Sequence, residues 1–89
     1  MPLFGFSIGP KAAAFLDAMP AGKLRAQVAR KARSLMDVPH PPGCKKLVGV
    51  TSGTDAVWRV RSGDYRILYV CRSNEIIVID IGDRKDVYR

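Results

Sequence analysis

Apolar residues recur along this chain with two periods, and the change between them divides it in half. Leu3-Phe4-Gly5-Phe6-Ser7-Ile8 reads as a short strand, and Gly9-Pro10 punctuates it. Pro10 suits the first turn of a helix, where a missing N–H leaves nothing unsatisfied. Ala12, Phe15, Leu16 and Met19 follow at i, i+3, i+4 and i+7, one stripe of a helix. Pro20-Ala21-Gly22 breaks that helix. The spacing predicts a second helix from about Lys23 to Met36, with Leu24, Val28, Ala32 and Leu35 inward and Lys23, Arg30 and Arg33 on the far side. The two helices are expected to form an antiparallel hairpin.

Pro39-His40-Pro41-Pro42-Gly43 is a loop by composition. Residues 44–50 read as its continuation and residues 51–55 as a further turn. The period then becomes that of strands. Residues 56–61, 65–71 and 75–81 read as three strands separated by Ser62-Gly63-Asp64 and Arg72-Ser73-Asn74, an antiparallel meander. The expected fold class is α+β: an N-terminal strand, a helical hairpin, and three strands completing a small sheet. The 89 residues are read as one domain, 1–89, with no repeat or linker.

Composition adds the choice of partner. Hydrophobic residues make up 47% and charged ones 26%, ordinary for a globular domain. Fifteen Lys and Arg against eight Asp and Glu give a net charge of +7, which points to an anionic partner. The first 49 residues hold eight of the positive groups and two of the negative ones. The second helix has no acid between Lys23 and Arg33, so its exposed face is either a solvated surface or a landing surface for phosphate or an acidic partner. Two Cys and one His exclude a four-ligand zinc site built from those residues alone. A lone His40 also excludes a ribonuclease site with a histidine acid–base pair. The start of the chain carries no basic region followed by an apolar stretch, and no run reaches membrane-spanning length. The expected compartment is the cytoplasm, without membrane association and with Cys44 and Cys71 as free thiols.

The candidate chemistry lies in the second half. In Trp58-Arg59-Val60-Arg61 the two arginines share one face of a strand. Arg66 begins the next strand, across the turn, and Arg84 follows the third. Four arginines can therefore converge on one sheet surface. Such a cluster needs compensation, either by Asp64, Asp80, Asp83 and Asp86 or by a bound anion. Alternation alone leaves both open. His40 is expected to be an exposed loop residue, and Trp58 and Tyr69 are expected in the core.

Three ordered blocks resemble one family. They are Lys45-Lys46-Leu47-Val48-Gly49, Trp58 to Tyr69 with its Gly-Asp-Tyr-Arg core, and Gly82-Asp83-Arg84-Lys85-Asp86-Val87-Tyr88-Arg89. Together with the Gly-Pro-Lys-Ala helix start they resemble the RelE/ParE superfamily of bacterial toxins, the RelE branch most. The resemblance implies a toxin of a type II toxin–antitoxin module. It implies a metal-independent, cofactor-free endoribonuclease that cuts mRNA in the ribosomal A site by attack of the 2′-hydroxyl. It also implies neutralisation by a cognate acidic antitoxin, RelB-like or other, with operator DNA contacted only through the antitoxin complex.

By the same resemblance Arg66, Arg84, Tyr88 and Arg59 are the catalytic candidates. Arg66 and Arg84 lie at the scissile phosphate, Arg59 beside the RNA, and Tyr88 on a base. Lys45, Lys46, Arg61 and Lys85 are the RNA-binding candidates. Asp83 departs from the His common at that place, and adds negative charge beside Arg84. Two other functions share the fold: a ParE-like inhibitor of DNA gyrase, marked by DNA damage rather than mRNA loss, and an inactive antitoxin-binding module, marked by growth indifferent to overexpression.

Overall fold

The computed structural model describes residues 4–83. Its elements run β1 (Gly5–Ile8), α1 (Pro10–Ala18), α2 (Lys23–Ser34), β2 (Lys45–Ser52), β3 (Asp55–Ser62), β4 (Tyr65–Arg72) and β5 (Glu75–Asp83). They form one five-stranded sheet in the order β1-β5-β4-β3-β2. β2 to β5 pair antiparallel in sequence order, and β1 joins β5 in parallel. The class is the expected α+β. Residues 45–52, read as loop and turn, are instead an edge strand, so the meander has four strands rather than three.

Pro10 occupies the first turn of α1, and Gly9 precedes it as N-cap without a side-chain cap. The Gly9 N–H donates to the Val78 carbonyl at 2.8 Å. A Cβ on Gly9 would stand 3.3 Å from that same oxygen, a tight approach that the strand must yield to by a few tenths of an ångström. In the α1 stripe Ala12 and Met19 are buried, and Phe15 and Leu16 are half-buried. In α2, Val28, Ala32 and Leu35 are buried as the spacing predicts, whereas Leu24 is 59% exposed. It sits in the first turn of α2, where the heptad-like pattern runs on but the packing does not.

Both helices bury these stripes against one face of the sheet, where Val60, Ile67, Tyr69, Ile76, Val78 and Ile81 complete the core. Each such aliphatic side chain contributes roughly 1.5–3 kcal/mol when fully buried. Tyr65 belongs to the same face, with its ring edge-on to Phe15 at 5.9 Å. The alternate residues Val57, Leu68 and Val70 form a second apolar cluster on the other face, with Leu47, Ile77 and Ile79 against it. Among the described residues no helix lies on that side, and no helix is long and apolar enough to cross a membrane.

Candidate phosphate-binding site

The turn between β3 and β4 sets the site. Gly63 takes φ 60°, a left-handed conformation open to glycine, and closes the hairpin in two residues. That register puts Arg61 directly opposite Arg66. In the β2–β3 pair Lys45 stands directly opposite Arg59. Arg59 and Arg61 are two residues apart on β3, so all four cations share one face, away from the helices. They border the uncovered apolar cluster, since Leu68 is the cross-strand partner of Arg59.

A cavity of about 180 Å³ opens among these side chains, lined by Gly43, Lys45, Arg59, Arg61 and Arg66. Among the described residues no carboxylate lines it. Arg61 Nε donates to the Gly63 carbonyl at 3.2 Å, and Arg66 Nη1 makes a long contact of 3.5 Å to the Tyr65 carbonyl. Among the described residues, the carboxylates expected to compensate the cluster do not line this cavity. Asp80 pairs with Lys11 at 3.2 Å, and Asp64 is exposed in the turn. Asp83 stands opposite Tyr65 at the end of β5 and lines a different cavity with Lys11, Phe15 and Asp80. Asp86 lies outside the described residues. Two like-charged cross-strand pairs destabilise the sheet, and an anion between them relieves both. Guanidinium forks match phosphate oxygens in pairs. Such a cluster of donors can take a phosphate or a carboxylate.

The loop before β2 completes the cavity. The buried Tyr69 hydroxyl donates to the Pro39 carbonyl at 2.6 Å and ties residues 39–44 to the sheet. Burial, and then the neighbouring Cys44 and Cys71 sulfurs, push the Tyr69 phenol well above its ordinary value near 10. It is a structural donor and stays protonated. His40 packs on the Trp58 ring, centroids 4.2 Å apart, while its residue as a whole is exposed. Cys44 and Cys71 are free thiols, and burial raises the Cys71 thiol.

Of the site candidates, Lys45, Arg59, Arg61 and Arg66 come together. Lys46 does not: it stands opposite Trp58, on the other face of β2, and lines a cavity along the sheet edge with Val48 and Val50. Arg84, Lys85 and Tyr88 lie outside the described residues. The sequence reading missed Gly43 as part of the cavity, for which the only signal is its place two residues before Lys45.

α2 divides its charges between two surfaces. Arg33 and Arg25 rim a groove of about 240 Å³ with Phe6, Ile8, Leu16 and Asp17. Arg30 and Lys31 face the β3–β4 turn, where a cavity of about 480 Å³ also touches Arg61. Lys23, Arg30 and Arg33 thus do not act as one surface.

A family model described as the ParE toxin of the type II toxin–antitoxin system parDE matches residues 7–88. No curated protein matches the sequence. Solved structures share the fold at low identity. The archaeal RelE–RelB complex of Pyrococcus horikoshii aligns with a TM-score of 0.76 and 20% identity, over 96% of this chain and 99% of that one. The RelBE2 toxin–antitoxin complex of Mycobacterium tuberculosis gives 0.74 and 22%, over 94% and 100%. The chromosomal ParDE system of Pseudomonas aeruginosa gives 0.59 and 17%, over 91% and 96%. With the family matched across nearly its whole length, the chain belongs to the ParE toxin family of type II toxin–antitoxin systems, within the RelE/ParE superfamily.

Proposed function

We propose that the protein is a ribosome-dependent mRNA endoribonuclease whose phosphate site is the cavity between Lys45, Arg59, Arg61 and Arg66. The observation that supports this reading is the gathering of Lys45, Arg59, Arg61 and Arg66 around one cavity, with Lys45 opposite Arg59 and Arg61 opposite Arg66 in the strand register. When the 2′-hydroxyl attacks the adjacent phosphodiester, negative charge builds on the phosphate oxygens. Preorganised guanidinium groups stabilise that charge most where water is excluded. The new bond joins the 2′-oxygen to phosphorus, the bond to the 5′-oxygen breaks, and a 2′,3′-cyclic phosphate remains.

Guanidinium groups hold their protons, so this cavity supplies charge and orientation rather than proton transfer. The proton leaving the 2′-hydroxyl and the one reaching the 5′-oxygen are assigned to Lys45, to Tyr88 or to the ribosome. An enzyme without a histidine acid–base pair gains most from having its substrate held for it. That accounts for a dependence on the ribosome and for weak cleavage of naked RNA. Arg84, outside the described residues, is proposed as a further phosphate contact from its place in the Gly82-Asp83-Arg84-Lys85 block alone.

The proposed antitoxin is acidic and covers the sheet face opposite the helices, where the apolar cluster of Val57, Leu68 and Val70 adjoins the cations. Apolar and acidic residues in one segment would satisfy both. Its association is expected to be fast and to slow as salt rises.

A second reading, inhibition of DNA gyrase, is favoured by the ParE description of the matching family. Two assays run in parallel separate them: mapping of mRNA ends in cell-free translation, and supercoiling by purified gyrase. Cuts in mRNA with unimpaired supercoiling support the ribonuclease; intact mRNA with arrested supercoiling replaces it by the gyrase inhibitor.

A further inference from the structure

The basic face of α2 finds no use in the site above. Gln27, Arg30, Lys31 and Ser34 fall at i, i+3, i+4 and i+7, one stripe along the helix. Across from them lies the β3–β4 turn, with Arg61, Ser62 and Gly63, and the two elements enclose a cavity of about 480 Å³. Every residue lining it is polar or glycine. Among the described residues that line it, three are cations and none is a carboxylate. The Ser34 hydroxyl donates to the Lys31 carbonyl at 2.6 Å, within the stripe.

Arg61 lines both this cavity and the one on the sheet. The two cation sites therefore share one residue and adjoin each other at the end of the β3–β4 hairpin. The chemistry of the cavity beside α2 distinguishes between partners. The core of a protein interface is built on aromatic and apolar anchors, and this cavity has none. Arg, Lys, Ser and Gln side chains together with backbone groups are the usual contacts to a nucleic-acid backbone. The groove on the other side of α2, with Phe6, Ile8 and Leu16, has the opposite composition and suits a protein.

We propose that Gln27, Arg30, Lys31 and Ser34 of α2, with Arg61 and Gly63, form a second phosphate subsite that holds the flanking backbone of the same RNA strand whose reacting phosphate sits on the sheet. This inference rests on the reading of the sheet cavity as an RNA site. The subsite reads phosphates and not bases, so it adds affinity and direction without sequence preference. It extends the footprint beyond the nucleotides at the reacting bond and orients the strand around the Gly63 turn.

The test uses the full chain and a fluorescent single-stranded oligouridylate of twelve nucleotides, with binding measured across a salt series. Arg30→Gln/Lys31→Gln removes two phosphate contacts. The affinity at 0.1 M salt is expected to fall roughly 10- to 30-fold, and the slope of log K against log salt to fall by about 1.4. Lys23→Gln/Arg33→Gln removes the same charge from the same helix, away from the cavity, and is expected to cost less than about threefold. Glutamine is a good helix former, and unchanged helical circular dichroism and melting temperature certify the fold of each variant. Equal losses in the two double variants mean that only bulk charge matters and overturn the subsite. Arg66→Gln separates this inference from the reading on which it rests. A loss with Arg66→Gln and none with Arg30→Gln/Lys31→Gln overturns the α2 subsite alone. No loss with either overturns both.

Discussion

Arg61 and Arg66 stand directly opposite each other across the β3–β4 hairpin, on the face of the sheet turned away from α1 and α2. Neighbouring strands bring such side chains close together, and like charges in that position repel. A fold under selection for stability alone would place an acid or a neutral residue at one of them. In the proposed site this repulsion is a cost that a bound phosphate would offset.

Replacing Arg61 with Gln should therefore raise the melting temperature of the free protein by about 2–4 °C at low salt while weakening phosphate binding. The gain should fade toward 1 M salt, where the Debye length is about 3 Å. Calorimetry at two salt concentrations checks this, and a lower melting temperature at low salt would mean that Arg61 is structurally paired.

Gly63 makes that opposition possible. With φ 60° and nothing within 4 Å of a built Cβ, the cost of Gly63→Ala is conformational and not steric crowding. It should destabilise by about 1–2 kcal/mol, the left-handed penalty of an L-residue. It should also disturb the Arg61 Nε contact to the Gly63 carbonyl, so RNA affinity should fall with stability. Denaturant unfolding and oligonucleotide binding on one preparation test both.

Tyr69 links the core to the site. Tyr69→Phe removes the hydrogen bond to Pro39 and leaves a partly buried carbonyl without its donor. A loss of about 1–3 kcal/mol is expected. The loop that carries Gly43 toward the cavity should also open, read as faster proteolysis within residues 39–44. Unchanged proteolysis would show that the loop is held by other contacts.

The same phenol predicts an alkaline signature. Its value in the folded chain lies above the unfolded one near 10, so above pH 10 the unfolded chain releases a proton that the folded chain retains. Stability should therefore fall as pH rises past 10, and more steeply for the wild type than for Tyr69→Phe. Parallel slopes for the two proteins would contradict the assignment of that titration to Tyr69.

How much of this could be read beforehand depends on where burial leaves a pattern. The α1 stripe and the strands β3 to β5 are half-buried elements, and their periods are visible. The shared face of Arg59 and Arg61 follows from alternation, and their nearness to Arg66 from a short turn, read as Ser62-Gly63-Asp64 and in the structure one residue shorter. β2 escaped because it is an edge strand with both faces largely open: Val48 is 97% exposed, and the pairing with β3 shifts register between Lys46 and Thr51. With no buried face there is no alternation to see. Lys45 could not be joined to Arg59, nor Lys46 set apart from it, until that pairing was known. Leu24 shows the converse, a pattern that outruns the packing.

The central claim is that the cations facing each other on the sheet act on the phosphate of ribosome-bound mRNA. The most direct measurement is the rate of mRNA cleavage on programmed ribosomes, with ends mapped by primer extension, for the wild type and for Arg66→Ala. Cuts in register with the reading frame, absent without ribosomes and slowed about 10²–10³-fold in Arg66→Ala, are the predicted result. Cleavage at an unchanged rate in Arg66→Ala, or mRNA left intact by the wild type, would contradict it.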